Sequence, residues 1–319
     1  MAVAALLVAS APAAPQRQVR VVLIHYRAHD GVRRKAYVVV PAWYGPKNAP
    51  PIPLVISPHG RGVSARANTK LWRGLPAVGR FAVISPEGEG RRLGRYSWGS
   101  AGQIEDLARM PVIAHLTLPW LHVDQRRVYA LGGSMGGQET LLLLARHPRL
   151  LAGAAAFDSV TNMALQYRRF RHMPCNRACR RAWHGPIGRA LQSLARREVG
   201  GTPATRPLAY SERSPVTYAR AIAASCVPLQ LWWSVKDRVV TNQQHQSGAL
   251  FRRIIELRPD APVTAFVGAW RHSREMHAET HLPVALAVFG LLPGYLQLHP
   301  AGIRVYPPST PEGCEAQHP

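Results

Sequence analysis

The hexapeptide Gly132-Gly133-Ser134-Met135-Gly136-Gly137 sets one serine among four glycines. A strand-like run, Arg127 to Leu131, precedes it and a leucine-rich helical pattern follows. A serine hydroxyl is a weak nucleophile until a base takes its proton. The pattern G-x-S-x-G serves that chemistry mechanically, because small flanking residues let a strand turn sharply into a helix and leave the hydroxyl projecting. The helix N-terminus then favours a developing oxyanion. As a bare pattern the motif is weak, but its position at a strand–helix junction makes Ser134 a candidate nucleophile rather than a turn residue. An acid and then a base are expected downstream, each at a strand end. "LQLWWSVKDRVV" supplies Asp237, and "VTAFVGAWRHS" supplies His272. Asp158 is the rival acid, its ordinary role being a helix N-cap in "FDSVTN". His277 is the rival base, farther from its strand end.

An oxyanion also needs backbone donors. The N–H of Met135, next after the serine, is one. "HGRG", His59 to Gly62, follows the apolar run "PLVIS", where the N–H of Arg61 is the expected second donor. Gly60 and Gly62 would let the backbone approach a substrate without a Cβ in the way; a plain turn is the alternative. Trp98 and Gly60 are candidate substrate contacts, with packing beneath an insertion as the ordinary role of Trp98. Trp232 and Trp233 sit in a buried-type strand, and Trp270 supports His272 or walls the site. Glu87 and Glu89 pair with Arg91 and Arg92 or select a cationic group. Arg168, Arg169 and Arg171 read as a solvated helix face, with recognition of an acidic substrate as the alternative. No second close cysteine pair completes a zinc site, and neither metal nor cofactor is expected.

These residues need a scaffold. Gln18–Tyr26 and Lys35–Val40 are β-rich, and Asp30-Gly31 between them is a hairpin signal. Short apolar runs then alternate with helical patterns, of which "AGQIEDLARMPVIAHLTLP" and "GGQETLLLLARHP" are the clearest. Such alternation implies an α/β fold, a mostly parallel sheet with helices on both faces. Asp158 to Val227 is too long for a simple crossover and predicts a helical insertion, 160–225, above the sheet's C-terminal edge, where open α/β folds bind ligands. The hydrolytic domain is placed at 17–292, between a leader at 1–16 and a Pro-rich tail at 293–319.

The formal net charge is +23, with only four lysines among 40 basic residues and the rest arginine. Scattered arginines without a groove-reading motif point to coding bias rather than to specific nucleic-acid binding. The leader "MAVAALLVASAPAAPQ" has a short apolar run and a small-residue end, as signal peptides do, though without basic residues before the run. The expectation is a secreted or periplasmic protein, otherwise a cytoplasmic one. No stretch reaches the length needed to span a bilayer. The four cysteines, Cys175, Cys179, Cys226 and Cys314, allow three pairings; Cys175 and Cys179 could meet across one turn of helix.

Strand-HGxG, strand-GxSxG-helix, strand-Asp and strand-His, in that order over roughly Val21 to Leu292, resemble the α/β-hydrolase superfamily. "GGSMGG" and the "GAWRHS" ending resemble its prolyl-oligopeptidase-like serine hydrolases and related esterases. The resemblance implies a metal-independent Ser134-Asp237-His272 hydrolase. Large peptidases of that branch carry an N-terminal propeller, and no such domain is read here. An esterase acting on a small ester or a polymer is therefore expected ahead of a peptidase. A basic binding protein on a hydrolase fold is the non-enzymatic alternative. The sequence does not fix the oligomeric state.

Overall fold

The computed structural model describes residues 19–88, 98–182, 184–272, 281–295, 302–306 and Cys314. Among them nine strands form one sheet: β1 (Val19–Arg27), β2 (Arg33–Pro41), β3 (Ile52–Ile56), β4 (Ala82–Pro86), β5 (Val123–Gly133), β6 (Gly153–Phe157), β7 (Leu229–Ser234), β8 (Val263–Gly268) and β9 (Arg304–Tyr306). Their order is β1-β2-β4-β3-β5-β6-β7-β8-β9. The run from β4 to β8 is parallel, and β1, β2 and β9 are antiparallel to their neighbours.

Sequence dictates this layout. Every residue of β3, β4, β6 and β7 is buried, as parallel strands covered on both faces must be. The expected hairpin joins β1 to β2, with Gly31 at φ 76° and the Asp30 carboxylate accepting from the Val32 N–H at 3.1 Å. One face of the sheet packs on helices that include Ala101–Ala108, Met110–Thr117, Met135–Arg146 and Ser247–Leu257. The other packs on Leu75–Gly79 and Leu282–Val288. The stretch that reads as one helix from Ala101 is two, because Pro111 has no N–H to continue the first and instead opens the second.

The insertion is helical, with Met163–Phe170, Arg177–Ala182, Ile187–Val199 and Pro207–Glu212 following β6. Phe170, Leu191, Leu194 and Tyr210 form a separate apolar cluster, which closes over Met135 and Val240. The insertion therefore sits above the strand ends that carry the candidate residues. Helix Ala219–Ala224 then packs beside Met135–Arg146 and Ser247–Leu257. Part of the tail, β9, joins the sheet edge at β8. Disulfides link Cys175 to Cys179 and Cys226 to Cys314. Among the described residues no helix is long and apolar enough to cross a membrane.

Candidate active site

Ser134 occupies the single-residue step between β5 and helix Met135–Arg146, at φ 58° and ψ −122°. A side-chain-bearing residue avoids that region unless its surroundings hold it there. The Ser134 N–H donates to the Phe157 carbonyl of β6 at 2.8 Å, and the Ser134 carbonyl accepts from the Gln138 N–H at 3.1 Å. The glycines leave room for close neighbours. A Cβ on Gly136 would strike the Pro58 carbonyl oxygen, and one on Gly137 would strike Ser159 Oγ.

The HGRG loop lies against this turn. A Cβ on Gly60 would come within 3.7 Å of the Gly133 carbonyl and 3.9 Å of Ser134 Cβ. His59 fixes the loop from behind: its Nε2 accepts from the Gly88 N–H at 3.2 Å, and its Nδ1 is 3.1 Å from the Gly60 carbonyl. That pair of partners puts the ring proton on Nδ1. Burial pushes the His59 pKa down to about 4, so the ring is neutral. The Arg61 side chain turns to the insertion, donating to Glu198 at 2.9 Å and lying 5.3 Å from the Trp98 ring centroid. Met135 is wholly buried at the helix start, where the first N–H groups have no intrahelical partner.

Asp237 follows β7 and His272 follows β8, and His272 Nδ1 hydrogen-bonds Asp237 Oδ2 at 2.8 Å. The N–H groups of Val239 and Val240 donate to the other Asp237 oxygen at 2.7 and 3.1 Å. Asp158 is equally buried but engaged elsewhere. It accepts from the Ser234 N–H at 2.7 Å and from Trp270 Nε1 at 3.0 Å. Trp270 thereby supports the His272 segment, and Asp158 holds Trp270. His277, the rival base, lies outside the described residues, as do Glu89, Arg91 and Arg92.

Side-chain ligand atoms of Asp158, Asp237 and His272 lie within 4.8 Å of one another. Both oxygens of each carboxylate already accept N–H donors, the environment of a hydrogen-bonded counter-ion rather than of a ligand set. Burial alone would lower the His272 pKa. The Asp237 charge, its hydrogen bond and the Asp158 charge outweigh burial and raise it.

Ser134 and His272 face one cavity of about 240 Å³, which Arg61, Trp98, Gln166 and Phe170 also line. No hydrogen bond joins Ser134 Oγ to His272, and such contacts often tighten only when a substrate is bound. Trp98 walls the cavity and packs on Phe170 of the insertion, with ring centroids 5.5 Å apart. Trp232 is core, stacked on Phe266 at 3.9 Å. Glu87 Oε2 accepts from the Ala65 N–H at 3.3 Å. Arg168 and Arg171 are exposed.

Gln166, Phe170, Ile187 and Leu191 also line the cavity without standing out in the sequence. Their one signal is the four-residue spacing within each of two helical segments, which puts each pair on one face but does not say what that face meets.

Residues 92–177 match the prolyl oligopeptidase family (Peptidase_S9), a stretch that contains Ser134 and its glycines. No curated protein matches the chain. Among solved structures it is similar to an acylaminoacyl peptidase of Pyrococcus horikoshii, at 14% identity and TM-score 0.61, over 88% of this chain and 41% of that one. A puromycin hydrolase gives 18% identity and TM-score 0.58, over 94% and 43%. An S-formylglutathione hydrolase of Staphylococcus aureus gives 14% and 0.59, over 88% and 99%. The chain thus spans about two fifths of the first two and nearly the whole of the third.

Proposed function

We propose that this chain, an α/β-hydrolase of prolyl-oligopeptidase-like type, is a serine hydrolase that cleaves carboxylic esters through Ser134, His272 and Asp237. The observation that carries this reading is the His272–Asp237 hydrogen bond beside a strained serine turn that opens on the same cavity. Asp237 holds the His272 Nδ1 proton and leaves Nε2 as the base. His272 takes the Ser134 proton as Oγ attacks the ester carbonyl. The N–H groups of Met135 and Arg61 receive the oxyanion. As the tetrahedral adduct collapses, the C–O bond to the alcohol breaks and His272 returns its proton to that alcohol. Water, deprotonated by His272, then attacks the acyl-Ser134 carbonyl, releasing the acid and restoring the hydroxyl.

Ser134→Ala is expected to lower turnover of p-nitrophenyl esters by about 10⁴-fold or more while leaving the circular dichroism spectrum intact. An unchanged rate would overturn the assignment. A fluorophosphonate should label Ser134 and fail on the variant.

A peptidase or amidase is the second reading, favoured by the match to the prolyl oligopeptidase family. Faster hydrolysis of aminoacyl or dipeptidyl anilides than of any ester would establish it. The two disulfides support an oxidising, exported location.

A further inference from the structure

The cavity beside Ser134 is mostly apolar, with Val160, Phe170, Met173 and Leu191 among its walls. An apolar cavity of about 150 Å³ takes benzene, so about 240 Å³ has room for a substituted ring. Gln166 interrupts the apolar wall and is only 1% exposed. Its Nε2 donates to the Val239 carbonyl at 3.0 Å. That bond fixes the orientation of the amide, since a carbonyl can accept only from the nitrogen. Gln166 Oε1 is left buried with no hydrogen-bond partner. A second wall residue shares that condition with the opposite sense: Trp98 Nε1 is a buried donor without a partner. Unpaired buried polar atoms are costly in a folded chain and ask for a partner that arrives from outside it. The charged wall residue Arg61 is already bonded to Glu198.

We infer that the cavity selects a neutral, mostly apolar group, a ring or branched chain, carrying one hydroxyl that donates to Gln166 Oε1. A hydroxyl also offers a lone pair suited to Trp98 Nε1. A carboxylate has no proton to give Oε1, and a bare hydrocarbon leaves both atoms unpaired. Gln166 is thus a specificity-determining residue. The inference rests on the ester-cleaving reading for the identity of the bound group, which is the acyl side chain of the substrate.

The test uses matched pairs. Binding of 3-(4-hydroxyphenyl)propanamide and 3-phenylpropanamide to full-length Ser134→Ala is measured by calorimetry. Cleavage of the p-nitrophenyl esters of the same two acids is measured with the unaltered chain. The hydroxylated member should bind at least tenfold more tightly and be cleaved with at least tenfold higher kcat/KM. Gln166→Met, similar in volume but without the acceptor, should bring both ratios to about one. Equal binding, no measurable binding of either amide, or a preference that survives Gln166→Met overturns the inference. The ratio in the chain that keeps Gln166 decides even if Gln166→Met does not fold. Esters left intact alongside a Gln166-dependent amide preference would refute the hydrolase and keep the pocket. Equal cleavage with equal binding would do the reverse.

Discussion

His272 lies among two carboxylates, and the two are not equivalent. Asp237 bonds the ring, whereas Asp158 acts through its charge and through Trp270. A general base must be neutral, so kcat/KM for an ester should rise with pH through a midpoint above the ordinary histidine value of 6.5. Asp158→Asn keeps the size and removes one negative charge. A pH profile from 5 to 9 should then show a lower midpoint, and an unmoved midpoint would refute the role of that charge. His59 has the opposite sign. Its native pKa is depressed, so its contribution to stability is complete above the unfolded value of 6.5 and is lost as pH falls towards about 4. The loss amounts to on the order of 3 kcal/mol. Urea unfolding at pH 7 and pH 4.5 should show a smaller pH effect in His59→Gln than in the unaltered chain. Ser134, Asp237 and His272 are legible as candidates because each follows an apolar run where a strand gives way to a turn or loop. Asp158 carries the same signature after β6. Only three-dimensional placement, with Ser234 and Trp270 donating to its oxygens, distinguishes it from Asp237.

Each element presents its site residue by how closely it approaches its neighbours. Helix Met135–Arg146 meets the Pro58 carbonyl at Gly136, so the HGRG loop and the serine turn share one contact. Gly136→Ala should push that loop outward. Displacement of about 1 Å at a reacting centre can cost about 100-fold in rate. The variant is therefore expected to lose ester hydrolysis on that scale while still unfolding cooperatively, as steady-state kinetics and thermal melts would show. The strands could be read because parallel strands covered on both faces leave unbroken apolar runs. The insertion could be recognised as helical, but not as a roof. Gln166 and Phe170, like Ile187 and Leu191, share a helix face, and the identity of what that face covers depends on residues far along the chain. Arg61 shows the same limit: the motif points to its N–H, and its side chain joins the loop to helix Ile187–Val199.

At the scale of the whole molecule, the two disulfides do different things. Cys175–Cys179 closes a short loop within the insertion, and Cys226–Cys314 spans 88 positions. The sequence left three pairings open, because pairing depends on which loops the fold brings together. The Pro-rich tail contributes β9 to the sheet, which shields the edge of β8 from further strand pairing. Replacing both Cys226 and Cys314 by serine should lower the unfolding free energy by roughly 2–5 kcal/mol, with the long closed loop favouring the upper part of that range. Urea titration of the two proteins would measure it. The long disulfide also divides the candidate site covalently. Asp237 and His272 lie inside a closed ring of chain, whereas Ser134 and the HGRG loop lie on the open strand leading into it. A single cut anywhere in the ring leaves the polypeptide one molecule until it is reduced. A cut between Ser134 and Cys226, outside the short Cys175–Cys179 loop, breaks the covalent link between Ser134 and His272 at once. Tolerance of proteolytic nicking is thus built asymmetrically into the two halves of the site.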